Sequence, residues 1–456
     1  MRALAVVTAV AVAATAAGPA AVTPARAQDA TRGMPIVRDT EIEQLLRDYA
    51  QPILKAAGLA KQNVKVVVLN DRAFNAFVMD GRHIFINAGA LFDAKTPNEV
   101  IGVFAHETGH LAGGHLLKLR EQLASAQTAS VVALLLGVGA AVAGARSGSG
   151  DVGAAAIMAP QSAIQRSLLA YVRTQEDQAD HAGVKFLNAT GQSSRGMLEL
   201  FKRLSNDSLF NSRYIDPYLQ THPMPAERVA ALETIAKESP YFNVRDSAEL
   251  QARHDLMRAK LSGFLERPDT VARRYPLGDH SLAAGYARAI SAYRNSDLRQ
   301  AVAQIDDLIR AQPGNPYFYE LKGQALLEGG RASEAVAPLR QATQLSHGAP
   351  LIQIMLAQAL IGSNNPKVAE EAVELLRNAL IREPEAPEAY SQLAMAYGRK
   401  GDLAQADLAS AQAAFARGDM MTARQLASRA KTRLPVGSPS WVQADDIVNL
   451  KPNARN

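Results

Sequence analysis

Thr96-Pro97-Asn98-Glu99-Val100-Ile101-Gly102-Val103-Phe104-Ala105-His106-Glu107-Thr108-Gly109-His110 is the stretch on which the fold turns. Thr96 as N-cap, Pro97 at the first helical position and Glu99 at the third predict a helix start here. That helix carries His106 and His110 about two turns in. Residues four apart share a helix face, so both imidazoles can aim a ring nitrogen at one ion. Glu107 lies about 100° further round, beside the ion, where a general base takes a proton from water. With nine histidines and 44 acids in 456 residues, chance produces this pattern in only about two of a hundred such chains.

A third ligand is required, and the sequence offers two places to look. A third histidine six residues past His110 would fall on Leu116, which is no ligand. His115, five residues past, lies about 140° away on an unbroken helix and reads as structural or surface. The better candidate is Glu176 in Glu176-Asp177-Gln178-Ala179-Asp180. If that segment is helical, Glu176 and Asp180 share a face. Glu176 then ligates the ion, while Asp180 either hydrogen-bonds a ligand histidine or lends a proton to the reaction. A solvated acidic helix face is the ordinary alternative. Further on, in Thr221-His222-Pro223-Met224-Pro225-Ala226-Glu227-Arg228, Pro225 opens a helix with His222 just before it and Arg228 in its first turns. His222 is read as an oxyanion stabiliser, as a fourth ligand in a resting state, or as a turn histidine between prolines. The chain has no cysteine, so a metal here must use imidazoles and carboxylates. Zinc suits that donor set and brings water toward a neutral pKa.

Upstream of the metal helix, Val64 to Leu69 is rich in β-branched residues, and His83 to Asn87 follows the turn-forming Asp80-Gly81; both predict strands. Downstream, small residues recur at Ala301, Ala335, Ala372 and Ala406. Gly323, Gly330, Ala335 and Ala342 carry the spacing of a tetratricopeptide repeat, repeated by Ala394, Gly401, Ala406 and Ala413. Tyr319 and Tyr390 fill the large-residue position, and Pro313 and Pro384 close two units. Ala423, Ala430 and Pro435 suggest a half-unit acting as a cap, and a short insertion is expected near Ser363-Asn364-Asn365-Pro366.

The N-terminus reads as a signal peptide. Arg2 is followed by an apolar, alanine-rich run to Ala17, and Ala25-Arg26-Ala27 offers a cleavage site. An uncleaved anchor helix is the alternative. A net charge of +5 with no basic stripe interleaved with aromatics argues against nucleic acid. Gln122 to Ala145 has no charge and the length of a membrane span, but its glycines and alanines favour a buried or lid-forming hairpin. These readings define an α+β, mostly helical protein: a zincin-type metallopeptidase domain followed by an α-solenoid. The expected boundaries are a signal peptide at 1–27, a peptidase domain at 28–267, a linker at 268–280, repeats at 281–435 and a C-terminal tail at 436–456.

The three motifs, in this order, resemble the CAAX-prenyl-protease/HtpX metallopeptidase family. The signal peptide and C-terminal repeats are similar to its periplasmic branch. The resemblance implies one zinc on His106, His110 and Glu176, catalysis by Glu107 and an assisting role for Asp180. It implies that His222 and Arg228 lie at the substrate cleft, and that residues 75–87 supply the edge strand that holds substrate. Membrane-bound relatives carry transmembrane helices where 122–145 lies, so peripheral membrane association is also expected. The function implied is hydrolysis of misfolded or misassembled outer-membrane proteins, with repeats that recruit clients or assembly machinery. A chaperone or adaptor with a latent site, and a membrane-integrated prenyl-type protease, are the rivals.

Overall fold

In the computed structural model, which describes residues 34–128, 150–210, 217–295, 297–363 and 368–450, the β-branched segments form one small mixed sheet. Its strands are β1 (Ile36–Val37), β2 (Lys65–Leu69), β3 (Ala76–Val78) and β4 (His83–Asn87), in spatial order β1-β2-β4-β3. β2 and β4 run parallel, with Val67 opposite Phe85; β3 is antiparallel to β4, with Phe77 opposite Phe85. The strands expected at 64–69 and 83–87 are therefore joined by β3, within the 75–87 segment the resemblance implied as an edge strand, and by β1, which the sequence reading did not single out. Asp80 fixes the turn before β4. Its Oδ1 accepts from the backbone N–H groups of Arg82 and His83, both at 2.8 Å.

Behind the sheet run α1 (Thr40–Ala56), α2 (Ala88–Asp93) and α3 (Pro97–Gly113). Thr96 Oγ1 accepts from Glu99 N–H, and the Glu99 carboxylate accepts from Lys95 N–H at 2.9 Å, which anchors the start of α3. Every residue from Pro97 to His110 is buried. A helix enclosed on all sides belongs at the centre of its domain, and α3 has α1, α5 (Gly150–Ala189) and α6 (Arg195–Phe210) against it. Between α3 and α5 lies α4, described over 115–128. Two glycines allow the close packing: a Cβ on Gly102 would stand 2.6 Å from Met197 Cβ, and one on Gly109 would stand 2.7 Å from the Ala179 carbonyl oxygen. Ile42, Leu46, Ile86, Phe104, Leu187 and Phe201 belong to the core around α3. The short α7 (Pro217–Thr221) and α8 (Ala226–Lys237) complete this part of the chain.

From α9 (Ala248–Leu265) onward the chain is helical. After α10 (Pro268–Arg274) come five antiparallel pairs: α11 (Leu282–Asn295) with α12 (Leu298–Ala311), α13 (Pro316–Glu328) with α14 (Ala332–Leu345), α15 (Pro350–Gly362) with α16 (Ala369–Arg382), α17 (Pro387–Lys400) with α18 (Leu403–Arg417), and α19 (Met420–Lys431) with α20 (Pro439–Asn449). The small residues of the repeat pattern serve helix contact. A Cβ on Gly323 would stand 2.3 Å from Leu339 Cγ, and Ala301, Ala335 and Ala372 are fully buried.

Two boundaries differ from expectation. The proposed linker contains α10, whose Val271 is buried in one cluster with Leu256 and Ala259 of α9 and Tyr286 and Ile290 of α11. A shared apolar core, not a free segment, therefore joins the two parts. The proposed tail contains α20, whose Ala444 and Ile447 pack with Ala423, Ala427 and Ala430, so the expected half-unit is a full helical pair. The signal peptide, most of 122–145 and most of the expected insertion at 363–366 lie outside the described residues. Among those described, no helix is long and apolar enough to cross a membrane.

Candidate metal centre and active site

α3 and α5 cross at Gly109 and Ala179, and this contact sets the distance from His106 and His110 to the acids of α5. His106 Nε2 and His110 Nε2 lie 3.1 Å apart. Glu176 places Oε2 3.4 Å from the first and Oε1 3.4 Å from the second. His222, at the end of α7, brings Nδ1 to 3.3 Å from His106 Nε2 and 3.1 Å from Glu176 Oε2. All four side chains are buried, and their donor atoms lie within 4.8 Å of one another. A tetrahedron with ligand bonds of 2.0–2.1 Å has edges of about 3.3–3.4 Å. The observed separations match those edges, and two or three imidazoles with one carboxylate are donors that zinc accepts.

Glu107 is fully buried next to this group, with neither carboxylate oxygen given a hydrogen-bond partner. His222 Nε2 lies 3.5 Å from its Oε1. Burial pushes the Glu107 carboxyl up, partly countered by His222 and His106. A carboxylate beside the donor group is placed to accept a proton and return it. Glu176 goes the other way. Burial also raises it, but His222 and His106 outweigh that and hold its carboxyl well below the usual range.

Asp180 sits one turn along α5 from Glu176. Its Oδ1 accepts from His106 Nδ1 at 2.9 Å, leaving Nε2 for the donor group. Arg228 Nε donates to Asp180 Oδ2 at 2.7 Å, its Nη2 donates to Oδ1 at 2.9 Å, and its Nη1 lies 2.8 Å from Glu176 Oε2. Nη1 also donates to the Pro223 carbonyl at 2.9 Å. The Arg228 side chain is only 7% exposed. The structure therefore places Arg228 against both buried acids, with its guanidinium spanning Asp180 and Glu176.

Two residues escaped the sequence reading, and a third, His115, was read there as structural or surface. His115 is neither at the surface nor on the unbroken helix assumed for it: α3 ends at Gly114 (φ 62°), and His115 folds back to place Nδ1 3.0 Å from His110 Nδ1. The pair Gly113-Gly114 was the signal that the helix stops before it. Tyr218, buried with its ring centroid 4.6 Å from that of His222, and Phe201, 5.5 Å from His106, left no pattern in the sequence to find them.

Residues 37–236 match peptidase family M48, and residues 286–350 match a tetratricopeptide repeat. The chain carries a peptidase family M48 domain followed by tetratricopeptide repeats. The M48 domain is thus that of a metallopeptidase, and its buried His106, His110, Glu176 and His222 can hold a metal ion. The whole chain is similar to the beta-barrel assembly-enhancing protease of Escherichia coli (strain K12), 23% identical over 414 residues that cover 90% of this chain and 83% of that protein. It is similar to the putative beta-barrel assembly-enhancing protease of Vibrio cholerae, 23% identical over 63% of this chain and 59% of that protein. The metalloprotease YcaL of Escherichia coli (strain K12) is 27% identical over 40% of this chain and 67% of its own length.

Proposed function

We propose that this M48 chain is a periplasmic zinc endopeptidase that cleaves misfolded or misassembled outer-membrane proteins. The observation that carries the proposal is the buried group His106, His110, Glu176 and His222 with the Glu107 carboxylate beside it, which makes no hydrogen bond among the described residues. Zinc held there supplies Lewis-acid polarisation of a carbonyl and lowers the pKa of water toward neutrality. Glu107 takes the proton of the attacking water and passes it to the leaving amine. Asp180 keeps His106 in the tautomer that offers Nε2, and Arg228 holds both acids in place. An extended client pairs with β3, the last strand in the sheet order. The repeats recruit clients or assembly machinery, a reading supported by the similarity to the beta-barrel assembly-enhancing protease of Escherichia coli. Export rests on the leader-like residues 1–27.

Glu107→Gln tests the assignment: the variant should bind one zinc per chain and cleave no unfolded outer-membrane protein. Full activity in it would remove Glu107 as the base.

A second reading is favoured by the position of His222. With Nδ1 inside the donor group, His222 would offer a fourth protein ligand in the position that a catalytic zinc keeps for water. In that state the chain acts as a chaperone or adaptor with a latent peptidase. His222→Ala should raise peptidase activity if the site rests closed and lower it if His222 stabilises the oxyanion.

A further inference from the structure

His115 lies just past the metal helix, and the mechanism above gives it no task. Its side chain is 4% exposed, and its ring stands nearly perpendicular to that of His110, at 83° with centroids 5.0 Å apart. The contact between them is a hydrogen bond, Nδ1 to Nδ1 at 3.0 Å. We propose that His115 is a positioning residue that fixes the tautomer and ring orientation of His110 for metal binding. The inference rests on the reading of His110 as a zinc ligand.

The geometry of His110 demands such a partner. Its Nε2 faces His106 and Glu176, so a lone pair offered to an ion must come from Nε2. The ring proton then sits on Nδ1, and His115 Nδ1 must accept it. His115 can accept only as the tautomer protonated at Nε2, and the ring has the Gln178 side chain as a further partner. For His106 the same task falls to Asp180. A neutral acceptor behind His110 adds no charge to a site that already contains Glu107, Glu176 and Asp180.

Local sequence makes this fold-back achievable. Gly114 adopts φ 62°, a left-handed conformation that L side chains rarely take, and reverses the chain after α3. Gly113 provides the space: a Cβ there would stand 2.2 Å from His115 Nε2 and 2.6 Å from its Cδ2. From α5, Gln175 Nε2 donates to the His115 carbonyl at 3.2 Å, which ties the His115 backbone to the residue next to Glu176.

The experiment measures zinc affinity of the metal-stripped full chain by competition with a chromophoric chelator. His115→Ala leaves the buried Nδ1–H of His110 without an acceptor and should weaken zinc binding about 10- to 100-fold. His115→Asn, whose side-chain oxygen can occupy the Nδ1 position, should stay within about threefold of the parent. Gly113→Ala keeps His115 but displaces its ring, at a helical position where alanine is favoured, and should weaken binding in the same direction. Unchanged affinity in His115→Ala overturns the proposal, as does equal loss in the alanine and asparagine variants, which would show a packing role only. Should His115→Ala fail to fold, unchanged affinity in Gly113→Ala overturns it instead. A parent protein that binds no zinc defeats the metallopeptidase reading itself, which separates the two failures.

Discussion

Gly109 and Ala179 meet where α3 crosses α5, so closely that a single methyl group on Gly109 would stand 2.7 Å from the Ala179 carbonyl oxygen and 2.9 Å from its Cα. Both contacts are backbone atoms, so neither can turn aside. Gly109 lies between the ligand turn of α3 and the carboxylates of α5, and its missing side chain sets the reach of Glu176 to His106 and His110. Gly109→Ala should therefore force the helices apart. Overpacking of this kind costs about 1–3 kcal/mol, and zinc affinity should fall at least about tenfold as Glu176 withdraws. Urea unfolding and chelator competition on the same variant check both effects. A variant that keeps parental stability and affinity would show that the helix crossing does not set the ligand distance.

Arg228 gives a different kind of test, because its guanidinium faces both Glu176 and Asp180 of α5. Removing one partner of a buried ion pair leaves an uncompensated charge and costs about 3–5 kcal/mol. Arg228→Met should destabilise the metal-stripped protein by about that amount. Bound zinc restores positive charge beside Glu176, so the loss should be smaller in the zinc-loaded protein. Calorimetric melting with and without metal checks the difference. Equal losses in the two states would mean that Arg228 acts through packing on Phe201, over whose ring its guanidinium lies at 5.7 Å.

How much of this was legible in advance depended on whether a residue's task repeats along the chain. His106 and His110 obey a helical period, with Glu107 about 100° round from them, and Glu176 and Asp180 obey it again, so spacing placed each pair on a shared face. The repeat glycines and alanines were legible for the same reason, since each one solves the same helix contact. The contacts of Arg228 with Asp180 and Glu176 were not legible, because nothing in sequence reveals that carboxylates 48 and 52 residues earlier meet its guanidinium. His115 was misplaced because the reading continued α3 through Gly113-Gly114, where the backbone turns left-handed. The linker expected at 268–280 carries no repeat period of its own, and the burial of Val271 against α9 and α11 is a tertiary fact.

His254 predicts how the fold responds to acid. It is fully buried, its Nε2–H donates to the Ala94 carbonyl at 3.0 Å, and its Nδ1 accepts from Tyr49 O–H at 3.1 Å. Burial depresses its pKa from 6.5 to about 4. Between those values the unfolded chain binds the proton and the folded chain does not. Stability from this group is therefore fully present above about pH 6.5 and is lost as pH falls through about 4. The shift corresponds to about 3 kcal/mol at most. His254→Gln keeps a donor for Ala94 and removes the titration, so the stability difference between parent and variant should shrink as pH falls from 7 to 4. A constant difference over that range would show that His254 does not contribute to acid sensitivity.

Lys260 makes the last prediction, because it lies where the M48 domain meets the repeats. It is 3% exposed on α9, with Nζ 2.7 Å from Asp39, 3.3 Å from Glu41 and 3.6 Å from Glu320 of α13. Tyr286 O–H of α11 also donates to Glu41 at 2.9 Å. Burial pushes the carboxyls of Glu41 and Glu320 up, and Lys260 opposes both shifts. One ammonium thus compensates three acids drawn from both parts of the chain. Lys260→Met should cost about 3–5 kcal/mol, and adding Glu320→Gln should recover part of it by removing one stranded carboxyl. The single tryptophan, Trp441, lies on α20 at the far end of the repeats. Its fluorescence reports on the solenoid, while zinc release reports on the M48 domain. The two urea midpoints should coincide in the parent and separate in Lys260→Met. Coincident midpoints in the variant would assign the coupling to the apolar packing of α9 on α11 alone.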